Sequence, residues 1–167
     1  MLFTTRKVIL LMLMLPMLSA EVSAGTENYS ASECVWRSGG AIGVDFNGAI
    51  FNTSSTTRSR VVCHVPHTDF GGFFSAGGIE GGFVHVIDLN SSRNIRCRFR
   101  SRSINDNGTL TSFNGAMSST TGFGTERRVL SLRGVSENSI SGYVLACVLP
   151  PRTSNGDSKI FTYQVRQ

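Results

Sequence analysis

Lysine is almost missing from this chain: of its 16 basic residues only Lys7 and Lys159 are lysine. That excludes a diffuse skin of solvated ammonium groups and leaves the positive balance to arginine. Arginine's planar five-donor fork suits carboxylate, phosphate or sulfate. Long apolar runs are missing as well. The stretch from Val8 to Leu18 is about 11 residues, short of the ~20 that span a bilayer, and Pro16 would disturb a membrane helix there. No later apolar run is long enough to span either. The cysteines never stand in a CxxC spacing, so a zinc ribbon is excluded. No Gly-x-Ser-x-Gly elbow occurs, and the glycine-rich stretch lacks the Gly-Lys-Ser/Thr ending of a phosphate loop. No twelve-residue window shows convincing i, i+3, i+4, i+7 apolar periodicity, which argues against a helical fold.

What is present begins with a leader. Arg6 and Lys7 precede the apolar run, and Val22-Ser23-Ala24 closes the segment with small residues. This is the anatomy of a secretory signal peptide over residues 1–24, with cleavage expected after Ala24. Residues 25–167 then hold about 143 residues, enough for one domain with a real core. They carry 14 basic side chains against 10 acidic ones. All four cysteines (Cys34, Cys63, Cys97, Cys147) fall in this part, and an even number in an exported chain favours two disulfides.

Apolar residues recur with period two in short runs such as "RVVCHV", "NIRCRFRSR", "GYVLACVL" and "KIFTYQV". "IGVDFNGAIF" reads as one further strand. The gaps are rich in Gly, Asn, Asp, Ser and Pro, the residues that turn geometry demands. An all-β fold follows: a single antiparallel β-sandwich, jelly-roll-like, with two disulfides. An immunoglobulin pattern is disfavoured, because Trp36 lies two residues after Cys34 instead of on a separate strand between bridged cysteines. Ile95, Cys97, Phe99 and Ser101 form one face of their strand and look toward the core. Residues 143–149 are apolar on both faces, which predicts a central strand. The stretch "FGGFFSAGGIEGGF", residues 70–83, reads as a long connection whose phenylalanines tuck beneath it, or as an aromatic rim around a sugar groove. Expected bridges are Cys34–Cys63 and Cys97–Cys147, the second because both cysteines occupy core-facing strand positions. Two other connectivities stay open to four cysteines.

The succession "VVCHVP", "FVHVIDLNSSRNIRCRF", "GYVLACVLPP" and "SKIFTYQV" resembles a group of small exported β-sandwich proteins of unknown function from Gram-negative bacteria. The resemblance covers residues 60–167 and rests on cysteines and strand spacing. It implies the fold and an exported, secreted or periplasmic location, and no catalytic residue. Cys34 lies outside it.

Candidate chemistry is sparse. His67, Asp69 and His85 would offer nitrogen and oxygen ligands to zinc or copper if a turn gathered them, but ordinary surface histidines account for them more simply. Asp45, Glu80, Asp88 and Glu126 are the acids from which a glycosidase pair would have to come. Any all-β chain of this size offers as much, and no enzyme activity, metal or cofactor is expected. Four Asn-x-Ser/Thr triplets begin at Asn28, Asn52, Asn90 and Asn107. The conspicuous feature is the ladder Arg96, Arg98, Arg100 and Arg102, one face of a strand with side chains roughly 6.5–7 Å apart. Like charges so aligned repel. Asp88, Glu126 or Glu137 would neutralise the row internally, or an external polyanion would. The second option makes the chain a non-catalytic binding module for an anionic polysaccharide or envelope polymer. Nucleic acid is not the expected partner. The alternative is a structural or adhesive component of an outer surface layer.

Overall fold

The computed structural model describes residues 25–66, 78–104, 107–135 and 141–167. The leader over 1–24, His67, Asp69, Glu137 and most of the glycine-phenylalanine stretch lie outside the described residues. The period-two runs form strands β1 (Thr26–Ser30), β2 (Val35–Gly39), β3 (Ile42–Val44), β4 (Ile50–Asn52), β5 (Ser59–Val65) and β6 (Ile79–Asp88). They continue as β7 (Arg96–Ile104), β8 (Leu110–Asn114), β9 (Ser118–Ser119), β10 (Gly124–Val135), β11 (Ser141–Leu149) and β12 (Lys159–Arg166). One sheet runs β10-β6-β12-β4-β3, with β1 also on β12; the other runs β2-β5-β11-β7-β8, with β9 also on β7. All pairings are antiparallel. From β4 to β7, and again from β10 to β12, successive strands fall in alternate sheets, the chain path of a jelly-roll-like sandwich.

Period two decides what lies between the sheets. Ile95, Cys97, Phe99 and Ser101 are fully buried, as are Val84, Val86, Tyr163 and Val165 from the facing sheet. The Tyr163 hydroxyl crosses the sandwich to donate to the His64 carbonyl at 2.7 Å, and burial pushes its phenol up to about 12. The strand with two apolar faces, β11, is indeed central, paired with β5 on one side and β7 on the other. Both expected disulfides are formed. Cys97–Cys147 joins directly opposed residues of β7 and β11, and Cys34–Cys63 joins the start of β2 to β5.

Two expectations need correction. The run "IGVDFNGAIF" is not one strand but two, β3 and β4, joined by a turn. The Asp45 carboxylate accepts from the N–H groups of Asn47 (2.9 Å) and Ala49 (3.0 Å), and Gly48 supplies the φ of +75° that closes the turn. An Asx-capped turn outcompetes continued strand because it satisfies two backbone donors locally. The glycine-phenylalanine stretch, read as a connection through Phe83, enters strand β6 already at Ile79. Gly82 explains why: a Cβ there would meet the Gln164 carbonyl oxygen at 2.0 Å and the Phe99 ring at 3.0 Å. Glycine is a device for close approach at this position, not a turn signal.

Candidate functional site

The ladder is held in place by a buried polar knot at its lower end. Asp88, at the end of β6, is fully buried. Its Oδ1 accepts from the Asn90 N–H (3.1 Å) and the Ser158 hydroxyl (2.9 Å). Its Oδ2 accepts from the Ile95 N–H (3.1 Å) and the Thr120 hydroxyl. The Asn90 side chain accepts from the Arg93 N–H (2.8 Å) and donates to the Pro151 carbonyl (2.9 Å). The loop entering β7 is thereby tied to the start of β12 and the end of β9, which sets the face on which Arg96 and its successors emerge.

That face is the outer surface of the β2-β5-β11-β7-β8 sheet, and strand register builds it row by row. Arg60, Val148 and Arg96 stand side by side across β5, β11 and β7; Val62, Ala146 and Arg98 form the next row, and His64, Val144 and Arg100 the next. The small apolar side chains of β11 make a floor. On one side rise Arg96, Arg98, Arg100 and Arg102, and on the other Arg60 and Arg37, all lining one concavity of about 620 Å³. Two strand spacings separate β5 from β7, so the floor is roughly 9.5 Å wide between strand axes.

No neutralising acid lines it. Asp88 faces the core and is consumed by its four donors, and Glu126 is exposed on β10 of the other sheet. Glu137 lies outside the described residues. Among the described residues the ion pairs are Arg152–Asp157 and Lys159–Asp45, and neither involves the ladder. Burial, followed by the positive charges of Arg98, Arg102 and Arg60, lowers the pKa of Arg100 from its ordinary value. The Nε–H groups of Arg100 and Arg102 are buried without a hydrogen-bond partner. The row is therefore close-packed, cationic and unpaired among the described residues.

The other candidates disperse. His64 sits on the outer face of one sheet and His85 on β6 of the other, with His85 held below its usual pKa by burial and then by Arg127. Asp45 is engaged by Lys159, and Glu80 is exposed at the start of β6. Asn52 and Asn90 are buried with their amide nitrogens donating to backbone carbonyls, which closes two of the four triplets to modification. Sequence reading missed Arg37 and Arg60. The alternation of Arg60, Val62 and His64 was visible, but its placement across from the ladder depends on β11 lying between β5 and β7.

No family model and no curated protein matches the chain. Solved structures do. The CBM22-1 xylan-binding domain from Paenibacillus barcinonensis Xyn10C superposes with a TM-score of 0.51 at 13% identity, over 86% of this chain and 94% of that one. The CBM22-1-GH10 modules of the Clostridium thermocellum endo-1,4-beta-D-xylanase 10B, complexed with xylohexaose, give 0.52 at 12% identity over 83% of this chain. A family two carbohydrate esterase from Cellvibrio japonicus gives 0.45 at 9% identity. The chain spans 27% of the xylanase structure and 34% of the esterase structure. The first two likenesses establish the fold alone, a β-sandwich.

Proposed function

We propose that the chain is an exported, non-catalytic binding module for an anionic glycan or envelope polymer, held in the arginine-walled groove by Arg96, Arg98, Arg100 and Arg102. The observation that carries this reading is a row of guanidiniums along a groove lined, among the described residues, by no carboxylate. An arrangement that repels itself is stabilised by an anion laid along it. The sandwich shared with a xylan-binding domain supports a glycan as the polymer. Two disulfides fit an oxidising compartment, as a secretory leader over residues 1–24 would lead to.

The test is retention on an immobilised anionic polysaccharide as salt rises. If each arginine meets one anionic group, Arg98→Ser with Arg100→Ser lowers the slope of log affinity against log salt by about two. Arg127→Ser with Arg133→Ser, both exposed on the other sheet, controls for bulk charge. Equal weakening by the two pairs, or no retention of the parent at low salt, overturns the reading. A second reading, self-assembly in a surface layer, draws on one observation. Both edges of the arginine-bearing sheet expose apolar side chains, Val35 and Trp36 on β2, Leu110 and Phe113 on β8. Polymers in sedimentation that persist at high salt would favour it over glycan binding.

A further inference from the structure

A second concavity, of about 600 Å³, opens at the end of the groove and shares Ser38, Arg60, Arg96 and Val148 with it. Its character differs. Where the ladder spaces its charges along one strand, here Arg58, Arg60, Arg93 and Arg96 converge from two loops and two strands, with Thr56 and Thr57 beside them and no acid or aromatic ring in the lining. The loops that bring them are fixed through their backbones. Arg58 offers its carbonyl to the Gly40 N–H (3.0 Å), and the Thr56 and Thr57 N–H groups donate to the Ser54 hydroxyl (3.3 and 3.0 Å). Arg93 is bound through its N–H to Asn90 and so to the buried knot. The side chains of Arg58 and Arg93 make no hydrogen bond or ion pair to any described residue. A cluster of forks on anchored loops differs from a solvated charge run in being pre-organised at its base.

The geometry points to a subsite for a terminal phosphate monoester of the bound glycan, in which the polymer lies along the ladder and its phosphorylated end sits among Arg58, Arg60, Arg93 and Arg96. This rests on the groove reading above and adds to it the chemistry of the polymer's end. A planar carboxylate is satisfied by a single guanidinium fork. A phosphate monoester carries three outward oxygens and nearly two charges, and so has sites for several forks approaching from different directions. Threonine hydroxyls complete such a shell as further donors.

The experiment uses three probes of one uronic-acid oligosaccharide: unmodified at its end, ended by a phosphate monoester, and ended by a malonyl dicarboxylate of matching charge. The parent should bind the phosphate-ended probe about tenfold more tightly than the malonyl-ended one, the equivalent of one additional charged hydrogen bond. Arg58→Ser with Arg93→Ser should bring that ratio to about one and leave the unmodified probe bound within about threefold of the parent. Arg58→Lys with Arg93→Lys keeps charge without the fork, and should lower the ratio while preserving the fold if the serine pair does not. Arg98→Ser with Arg100→Ser should weaken all three probes alike. A parent that binds the three probes but does not prefer phosphate over malonyl overturns the subsite and leaves the groove standing, as does a ratio unchanged in both Arg58/Arg93 variants. A parent that binds no probe at low salt overturns both.

Discussion

Two polar regions share the strand β7, and they are built on opposite terms. At its start the Asp88 carboxylate, buried to 0% exposure, accepts from two backbone N–H groups and two hydroxyls, so none of its capacity is left over. A few residues on, Arg96, Arg98, Arg100 and Arg102 stand in a row with no acid beside them among the described residues. Polar groups that serve the fold are satisfied within it, because a buried unsatisfied group costs about 1–3 kcal/mol. Donors left unmet on a rigid face are available to something outside. Among the described residues the deeply buried acid, Asp88, goes to positioning the ladder and not to neutralising it.

The largest effect should come where the two regions are clamped together. Cys97→Ser with Cys147→Ser removes the bridge between β7 and β11 beneath the groove floor and opens a 50-residue loop. The chain-entropy model puts the loss at about 4 kcal/mol, to be read from the urea midpoint of the variant against the parent. Next in size is Asp88→Ala, which strands the Asn90 N–H in the core and takes the acceptor from the Ser158 and Thr120 hydroxyls, while the Ile95 N–H keeps only Thr120. It should cost about 3 kcal/mol in the same measurement, with polymer binding restored wherever the variant is folded. A loss below about 1 kcal/mol would mean that the knot does not hold the loop.

Arg98→Ser with Arg100→Ser should do the reverse. Stability at low salt should hold or rise by up to about 0.5 kcal/mol, since repulsion is relieved, and the gain should vanish at high salt. A clear destabilisation would show that the row is paired after all and that the contrast with Asp88 is false. A small loss, opposite in sign, belongs to a charge that is paired, Asp45, whose carboxyl is held below its usual range chiefly by its hydrogen bond from Lys159 at 2.8 Å. A depressed carboxylate stabilises the fold above the unfolded-state value near 4 and loses that contribution as pH falls through its folded value. The parent should exceed Asp45→Asn by about 0.5–1 kcal/mol at pH 7. Urea unfolding should find the difference shrinking as the pH drops below about 4.

Much of this was legible before any coordinates. Alternation alone assigned Cys97 and Phe99 inward and the arginines outward, because side chains on a strand change face at every residue and in β7 only one of the two faces is apolar. It identified β11 as central from its two apolar faces. It did not find the turn at Asp45, where a local carboxylate competes with strand pairing, or the strand role of Gly82, whose reason is a carbonyl from distant β12. The short strands β1 and β9 went unread because a few half-exposed residues carry little periodicity.

The sequence by itself therefore determined which residues share a face, the all-β class and the concentration of positive charge in arginine. Those are properties of a strand's own chemistry and period. Only the tertiary structure decided what stands beside each face. That Arg60 meets the ladder across Val148, that Arg58 and Arg93 arrive on separate loops at its end, and that Asp88 turns away from it all follow from which strands lie next to β11. Neighbours in a sheet are chosen by packing between segments distant in the chain, and the alternation within any one of them carries no record of that choice.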